Sequence, residues 1–317
     1  MTLNDQIGNR VALVFPGQGS QAVGMGKALA GSSPAARETL HEADDALGVP
    51  FSRLLFDGPA PELDDTFNAQ PALLAVSVAS LRALQECAGA EGAPLAPLLV
   101  AGHSVGQFSA LVAADVLDFR DALVLVRERG RLMKEAGERR PGGMAAVIGL
   151  DDERLAEICR EAESEGIVTV ANINCPGQTV ISGEVAALER AMELAKAAGA
   201  RRVARLPVSI AAHSPLMRSV TPRLAELIAA IPLREPNMPV VGNVSGEPVT
   251  SVEGIRGELA HHVERPVRWT ASIQAIIAHG ATTFVELDPG HVLSGLIKRI
   301  DRSVTILGAG ALLEAPG

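Results

Sequence analysis

The sequence predicts an α/β fold: a parallel sheet covered by helices on both faces, with a small ferredoxin-like insert. Three observations carry this. Short, wholly apolar runs alternate with helical patterns along the first half of the chain, as in Val11-Ala12-Leu13-Val14-Phe15 and Pro97-Leu98-Leu99-Val100-Ala101; strands that read this way are buried on both faces. The pentapeptide Gly102-His103-Ser104-Val105-Gly106 lies between one such run and the apolar stretch 108–114. From Gly143 the texture changes to a β-α-β-β-α-β order, the ferredoxin-like signature. Residues 1–137 and 208–317 are read as the core, and 138–207 as the insert.

In order, the first strand is Val11–Phe15, ending at Pro16-Gly17-Gln18-Gly19-Ser20. Helices are predicted near 33–47, 71–90 and 119–137, with a surface loop over 88–97. Within the insert, strands are predicted at 144–150, 167–172, 178–182 and 201–208. Its first helix spans 151–165, with acidic residues in the first turn. Its second spans 184–198 and stops at Gly199, a C-terminal cap. The core resumes with a helix over 215–230 and a strand over 238–243. A helix over 268–280, a strand over 283–287, an Asp288-Pro289-Gly290 turn and a helix over 292–300 follow.

A chain of 317 residues, 47% of them hydrophobic, can bury one large core with an insert. One Trp and no Tyr leave no stacking platform for single-stranded nucleic acid, and a formal charge of −9 disfavours nucleic acid generally. Cys87, Cys159 and Cys175 have neither metal-ligand spacing nor even pairing, which fits free thiols in a reducing compartment. The N-terminus shows no basic and apolar leader, and no apolar run is expected to reach the ~20 residues that span a bilayer. A cytoplasmic protein is expected.

G-x-S-x-G between strand and helix reads as a nucleophile elbow, a sharp turn presenting the Ser104 hydroxyl at the sheet's carboxyl edge. The following amide, that of Val105, then sits at a helix N-terminus where it can bind developing negative charge. The plain alternative is a chance Gly-Ser loop. A serine nucleophile needs a base, and seven histidines are available. His213, flanked by small residues in Ser209-Ile210-Ala211-Ala212-His213-Ser214, stands where the insert returns to the core. Position alone leaves it one candidate among the seven. His41 and His279 read as surface residues, His261 and His262 as a pair near a helix end.

The Gly17-Gln18-Gly19 loop reads either as an oxyanion-hole arm or as a plain or phosphate-binding turn. Ala22 occupies the last glycine position of G-x-G-x-x-G and no Gly-Lys-Ser/Thr follows, which disfavours nucleotides. In the basic cluster Arg127, Arg129, Arg131 and Lys134, Arg129 falls among the apolar positions Leu123, Val126 and Met133. A partly buried arginine there could hold a substrate carboxylate through two hydrogen bonds.

Phe15-Pro16-Gly17-Gln18-Gly19-Ser20-Gln21, Gly102–Gly106, Arg129 and His213 together resemble the malonyl-CoA:acyl carrier protein transacylases. The likeness extends through Gln70-Pro71-Ala72, Asn172–Gln178, Asn243-Val244, Pro266-Val267-Arg268-Trp269 and Asp288-Pro289-Gly290. It implies an α/β-hydrolase-like core with a ferredoxin-like insert. It also implies Ser104 as nucleophile and His213 as base, oriented by a main-chain carbonyl instead of an aspartate. Gln18 and the Val105 amide would lie on the oxyanion side, with Arg129 clamping the malonyl carboxylate. The implied reaction is ping-pong transfer from malonyl-CoA to a holo acyl carrier protein, without metal or redox cofactor, by a monomer that binds neither nucleic acid nor membrane. Two departures stand out: Gln107 where the family usually has Glu, and His262 where it often has Gln. The rivals are a serine hydrolase or thioesterase acting on acyl thioesters, and a non-catalytic carrier-binding module. Fatty-acid, polyketide and malonate-decarboxylase pathways all remain open, as does malonyl against methylmalonyl choice.

Overall fold

The computed structural model describes residues 2–314. Its strands in chain order are β1 (Val11–Phe15), β2 (Leu99–Gly102), β3 (Gly142–Ile148), β4 (Val168–Cys175), β5 (Gln178–Glu184), β6 (Arg202–Arg205), β7 (Val240–Val241), β8 (Pro248–Val249), β9 (Thr283–Glu286) and β10 (Thr305–Gly308). Six form the main sheet in the order β10-β9-β1-β2-β7-β8. Every neighbouring pair in it is parallel except β7 with β8. All five residues of β1 and all four of β2 are buried, as strands with helices on both faces must be. Phe15 pairs with Gly102, so both central strands end at one level and their loops leave side by side. Such a crevice at the carboxyl ends of parallel strands is where α/β sheets place ligands.

The second sheet is antiparallel, in the order β4-β5-β3-β6. Its helices, Asp152–Glu161 and Val185–Ala197, bury Leu155, Ile158, Leu188 and Ala191 in a core of their own. The Asp151 side chain caps the first by accepting from the Arg154 amide. The opposite face carries Met144, Ala171 and Val180 towards Val208 and Ala212. Main-chain hydrogen bonds tie β4 to the segment before Trp269: Ile173 N to Val267 O at 2.9 Å and Val267 N to Ala171 O at 2.8 Å.

Four expectations need correction. The helix expected from Pro71 begins at Thr66 and runs to Ala90, with the Asp65 side chain accepting from Phe67 N and Pro71 inside it. This helix is also long and apolar enough to cross a membrane, contrary to the expectation that no run is; 72% of its apolar window is buried inside the protein, where it packs against the Pro34–Leu47 and Phe119–Arg139 helices. The strand expected at 238–243 shrinks to Val240–Val241, because Asn243 leaves the ladder to serve the elbow. The span 215–230 divides into a 3₁₀ turn, Pro215–Ser219, and the helix Thr221–Ala230.

Candidate active site

The chain turns from β2 into the Gly106–Ala113 helix within three residues, and Ser104 takes φ 50° to do it. A non-glycine residue in this left-handed region costs roughly 1–2 kcal/mol and persists only where its surroundings enforce it. The flanking glycines permit the turn. A Cβ on Gly102 would stand 1.9 Å from Gly106 O, and one on Gly106 would stand 2.2 Å from Phe15 O. Asn243 closes the elbow from outside, donating to Gly102 O at 2.7 Å and accepting from Ser104 N at 2.7 Å. Gln107, the first departure, is buried and accepts from Asn243 N at 3.3 Å. Buried Glu258 in turn accepts from Val244 N and Ser245 N, fixing the loop that carries Asn243.

Ser104 Oγ lies 2.8 Å from His213 Nε2. His213 Nδ1 lies 3.1 Å from Arg265 O, a carbonyl that can only accept, so Nδ1 carries the proton and Nε2 is free to receive one. Burial pushes the imidazole down to about 3, with the charge of Arg129 and then His103 adding to the effect. His213 is therefore neutral at physiological pH, the form a general base requires. His103 lines the same cavity but bonds elsewhere, 2.9 Å from Asn174 Oδ1 on β4 and edge-on to Trp269. His41, His261 and His279 are exposed.

Arg129 is 1% exposed, and among the described residues every hydrogen-bond partner it has is neutral. Nη1 donates to Gln70 Oε1 at 2.6 Å; Nη2 makes longer contacts to Ser104 Oγ at 3.4 Å and His262 Nδ1 at 3.3 Å; Nε is buried without a partner among the described residues. Burial alone pushes the guanidinium down to about 9, which still leaves it charged at neutral pH. A desolvated cation without a counter-ion, next to a nucleophile, is a receptor for an anionic substrate group. The other basic residues of the cluster are engaged elsewhere: Arg127 lies over the Phe67 ring, Arg131 pairs with Glu128 and Glu135, and Lys134 with Asp65.

His262, the second departure, is buried against Phe108 and turned towards Arg129. It is held far below the ordinary histidine range by burial and by the neighbouring Arg129. The Val105 and Gln18 amides donate to no protein acceptor among the described residues. Ser104, Val105, His213, Arg129 and Gln18 all line one cavity of about 490 Å³, walled on its far side by the second sheet through Met144, Asn172 and Val180. Among the described residues, no group of three or more His, Cys, Asp or Glu side chains is placed to hold a metal.

Sequence reasoning missed the working partners of these residues. Gln70 and Asn243 lie within stretches of the family likeness, without roles; His262 is a departure from it; a main-chain carbonyl on His213 is implied by the likeness, but not that Arg265 supplies it; Thr66 gives no signal.

The model of the acyl transferase domain family matches residues 12–308. A malonyl CoA-acyl carrier protein transacylase of Escherichia coli strain K12 is 46% identical over 303 residues, covering 96% of each chain. One of Bacillus subtilis strain 168 is 45% identical over 295 residues, covering 93% of this chain and 91% of the other. Among solved structures, a malonyl-transacylase in complex with its type II polyketide synthase acyl-carrier protein superposes with a TM-score of 0.91 at 43% identity, covering 96% of this chain and 98% of that one.

Proposed function

The chain belongs to the malonyl-CoA:acyl carrier protein transacylase family, and we propose that Ser104 and His213 perform its reaction, transfer of malonyl from malonyl-CoA to the phosphopantetheine thiol of an acyl carrier protein. Ser104 Oγ attacks the thioester carbonyl while its proton passes to His213 Nε2, 2.8 Å away. The Val105 amide and Gln18 bind the oxyanion. As the tetrahedral intermediate collapses, the C–S bond breaks and His213 delivers its proton to the CoA sulfur. The malonyl ester on Ser104 is then attacked by the carrier's thiol, which gives its proton to His213, and Ser104 recovers a proton as the ester bond breaks. Proton transfer is thus supplied by His213, and the reaction calls for no metal or redox cofactor.

The observation that carries this reading is Arg129: buried, paired only with neutral groups and 3.4 Å from the nucleophile. Its guanidinium takes the free malonyl carboxylate. A serine hydrolase is the rival, and it would gain nothing from that cation. The carbonyl of Arg265 on His213 Nδ1, in the place of a carboxylate, also favours the transferase. Carrier docking through Arg201, Arg202, Arg205, Lys298 and Arg299 fits their place: Arg299 bonds Gln178, which lines the cavity. Three unpaired thiols fit a reducing cytoplasm. The test offers malonyl-CoA with and without holo carrier protein. Malonyl appearing on the carrier much faster than free malonate is expected; release to water at the same rate would favour the hydrolase.

A further inference from the structure

Gln18 sits on an exposed loop between two glycines, one of them at φ 105°, yet it must hold a fixed place if it is to meet an oxyanion. Its side chain has one partner among the described residues: the hydroxyl of Thr66, 3.0 Å from Oε1. Thr66 opens the long Thr66–Ala90 helix and is itself buried. One turn further on, fully buried Gln70 donates from Nε2 to Thr66 Oγ1 at 3.0 Å and accepts from Arg129 Nη1 at 2.6 Å. The crossing that allows this depends on Gly130, where a Cβ would stand 2.5 Å from Thr66 O.

The direction of this chain is set at its Arg129 end. A guanidinium has donors and no acceptor, so Gln70 must turn its oxygen to Arg129 and its NH₂ to Thr66. Thr66 Oγ1 accepts there and donates its single proton to Gln18 Oε1. Gln18 consequently points its own NH₂ away from the helix, and its loop is anchored there. A second tether runs beside the first, from Gly19 N to Gln21 Oε1 at 2.8 Å and from Gln21 Nε2 to Asp64 Oδ1 at 2.9 Å.

We infer that Thr66 is a positioning residue, holding the Gly17–Gly19 arm in register with the nucleophile through a hydrogen-bond relay that starts at Arg129. This rests on the oxyanion role proposed for Gln18 and the clamp role proposed for Arg129. The relay sets the arm before substrate arrives, and donors set beforehand stabilise an oxyanion without reorganising during the reaction.

The test is a double-mutant cycle on the rate at which malonyl-CoA acylates Ser104, measured in single turnover. Removing an oxyanion donor outright typically costs 10²–10³-fold, so releasing the arm should cost about tenfold in Thr66→Val, with the KM for malonyl-CoA within about twofold. Thr66→Ser keeps the hydroxyl and should retain the wild-type rate. Because Thr66 acts through Gln18, Thr66→Val should cost nothing further in a Gln18→Ala background. Thr66→Ala enters the same cycle if the valine variant does not fold. A full rate in Thr66→Val, failed rescue by serine, or multiplying losses in the double variant would overturn the inference while leaving the proposed function standing. Wild-type protein that takes no malonyl onto Ser104 would overturn both.

Discussion

Replacing Arg129 by alanine should change which acyl group the protein transfers, and the size of the change follows from its surroundings. In the free protein Nη2 reaches Ser104 Oγ and His262 Nδ1 only at 3.4 and 3.3 Å, long contacts that a carboxylate would readily replace. Two charge-assisted hydrogen bonds to malonyl contribute about 1.5–3 kcal/mol each. After subtracting about 1 kcal/mol for the contacts given up, about 2–5 kcal/mol disappears with the side chain, a factor of about 30 or more in malonyl kcat/KM. Acetyl-CoA has no carboxylate and leaves the buried cation unpaired, so its kcat/KM should hold or rise. Arg129→Lys, a point charge without the fork, should fall between. The assay compares the two acyl-CoAs with one thiol acceptor. Because both acyl groups pass through the same serine, their ratio is insensitive to partial unfolding around the void left beside Phe108. Equal losses for both would refute the clamp.

Three further outcomes follow from the same geometry. His213 is depressed to about 3, foremost by burial and then by Arg129, so its neutral form prevails above that value. Acylation by malonyl-CoA should therefore be flat from about pH 5 to about pH 8, and an inflection near the ordinary histidine value of about 6.5 would contradict it. In Arg129→Ala one repelling charge is gone, so the His213 pKa rises and the acid limb, followed with acetyl-CoA, moves to higher pH. Asn243→Ala leaves Gly102 O and Ser104 N without their partner, which should cost about 1–3 kcal/mol of stability in urea unfolding and slow acylation as the elbow relaxes. Wild-type stability together with a wild-type rate would show that the elbow holds without it.

The elbow was legible in the sequence because its causes are local: an apolar strand, two glycines and an apolar helix within fifteen residues. Arg129 was separable from Arg127, Arg131 and Lys134 because it alone falls on the apolar stripe of its helix, and it alone is buried beside Ser104. The β-α-β-β-α-β order was readable from periodicity, and the second sheet runs in that order. What escaped depends on distant segments meeting. The Thr66–Gln70 relay needs two helices to cross at Gly130, and Asn243 reaches the elbow from a strand of two residues. The His213 partner is a carbonyl, which every residue carries and no side-chain pattern marks. Pro71 obscured the true start of its helix, since proline suits a first turn and here stands inside. The helices Leu3–Ile7, Lys27–Ser32 and Phe51–Asp57 are too short to display a period.

Intact mass after brief exposure to malonyl-CoA, without carrier protein, tests the central claim most directly. Wild-type protein should gain one malonyl group, mapped to Ser104 by peptide analysis and discharged when holo carrier protein is added. Ser104→Ala, whose smaller side chain the turn accepts, should fold and gain none. A stable malonyl adduct on the Ser104→Ala protein, or a wild-type adduct at another residue, would contradict the assignment of Ser104 as the acyl carrier of this reaction.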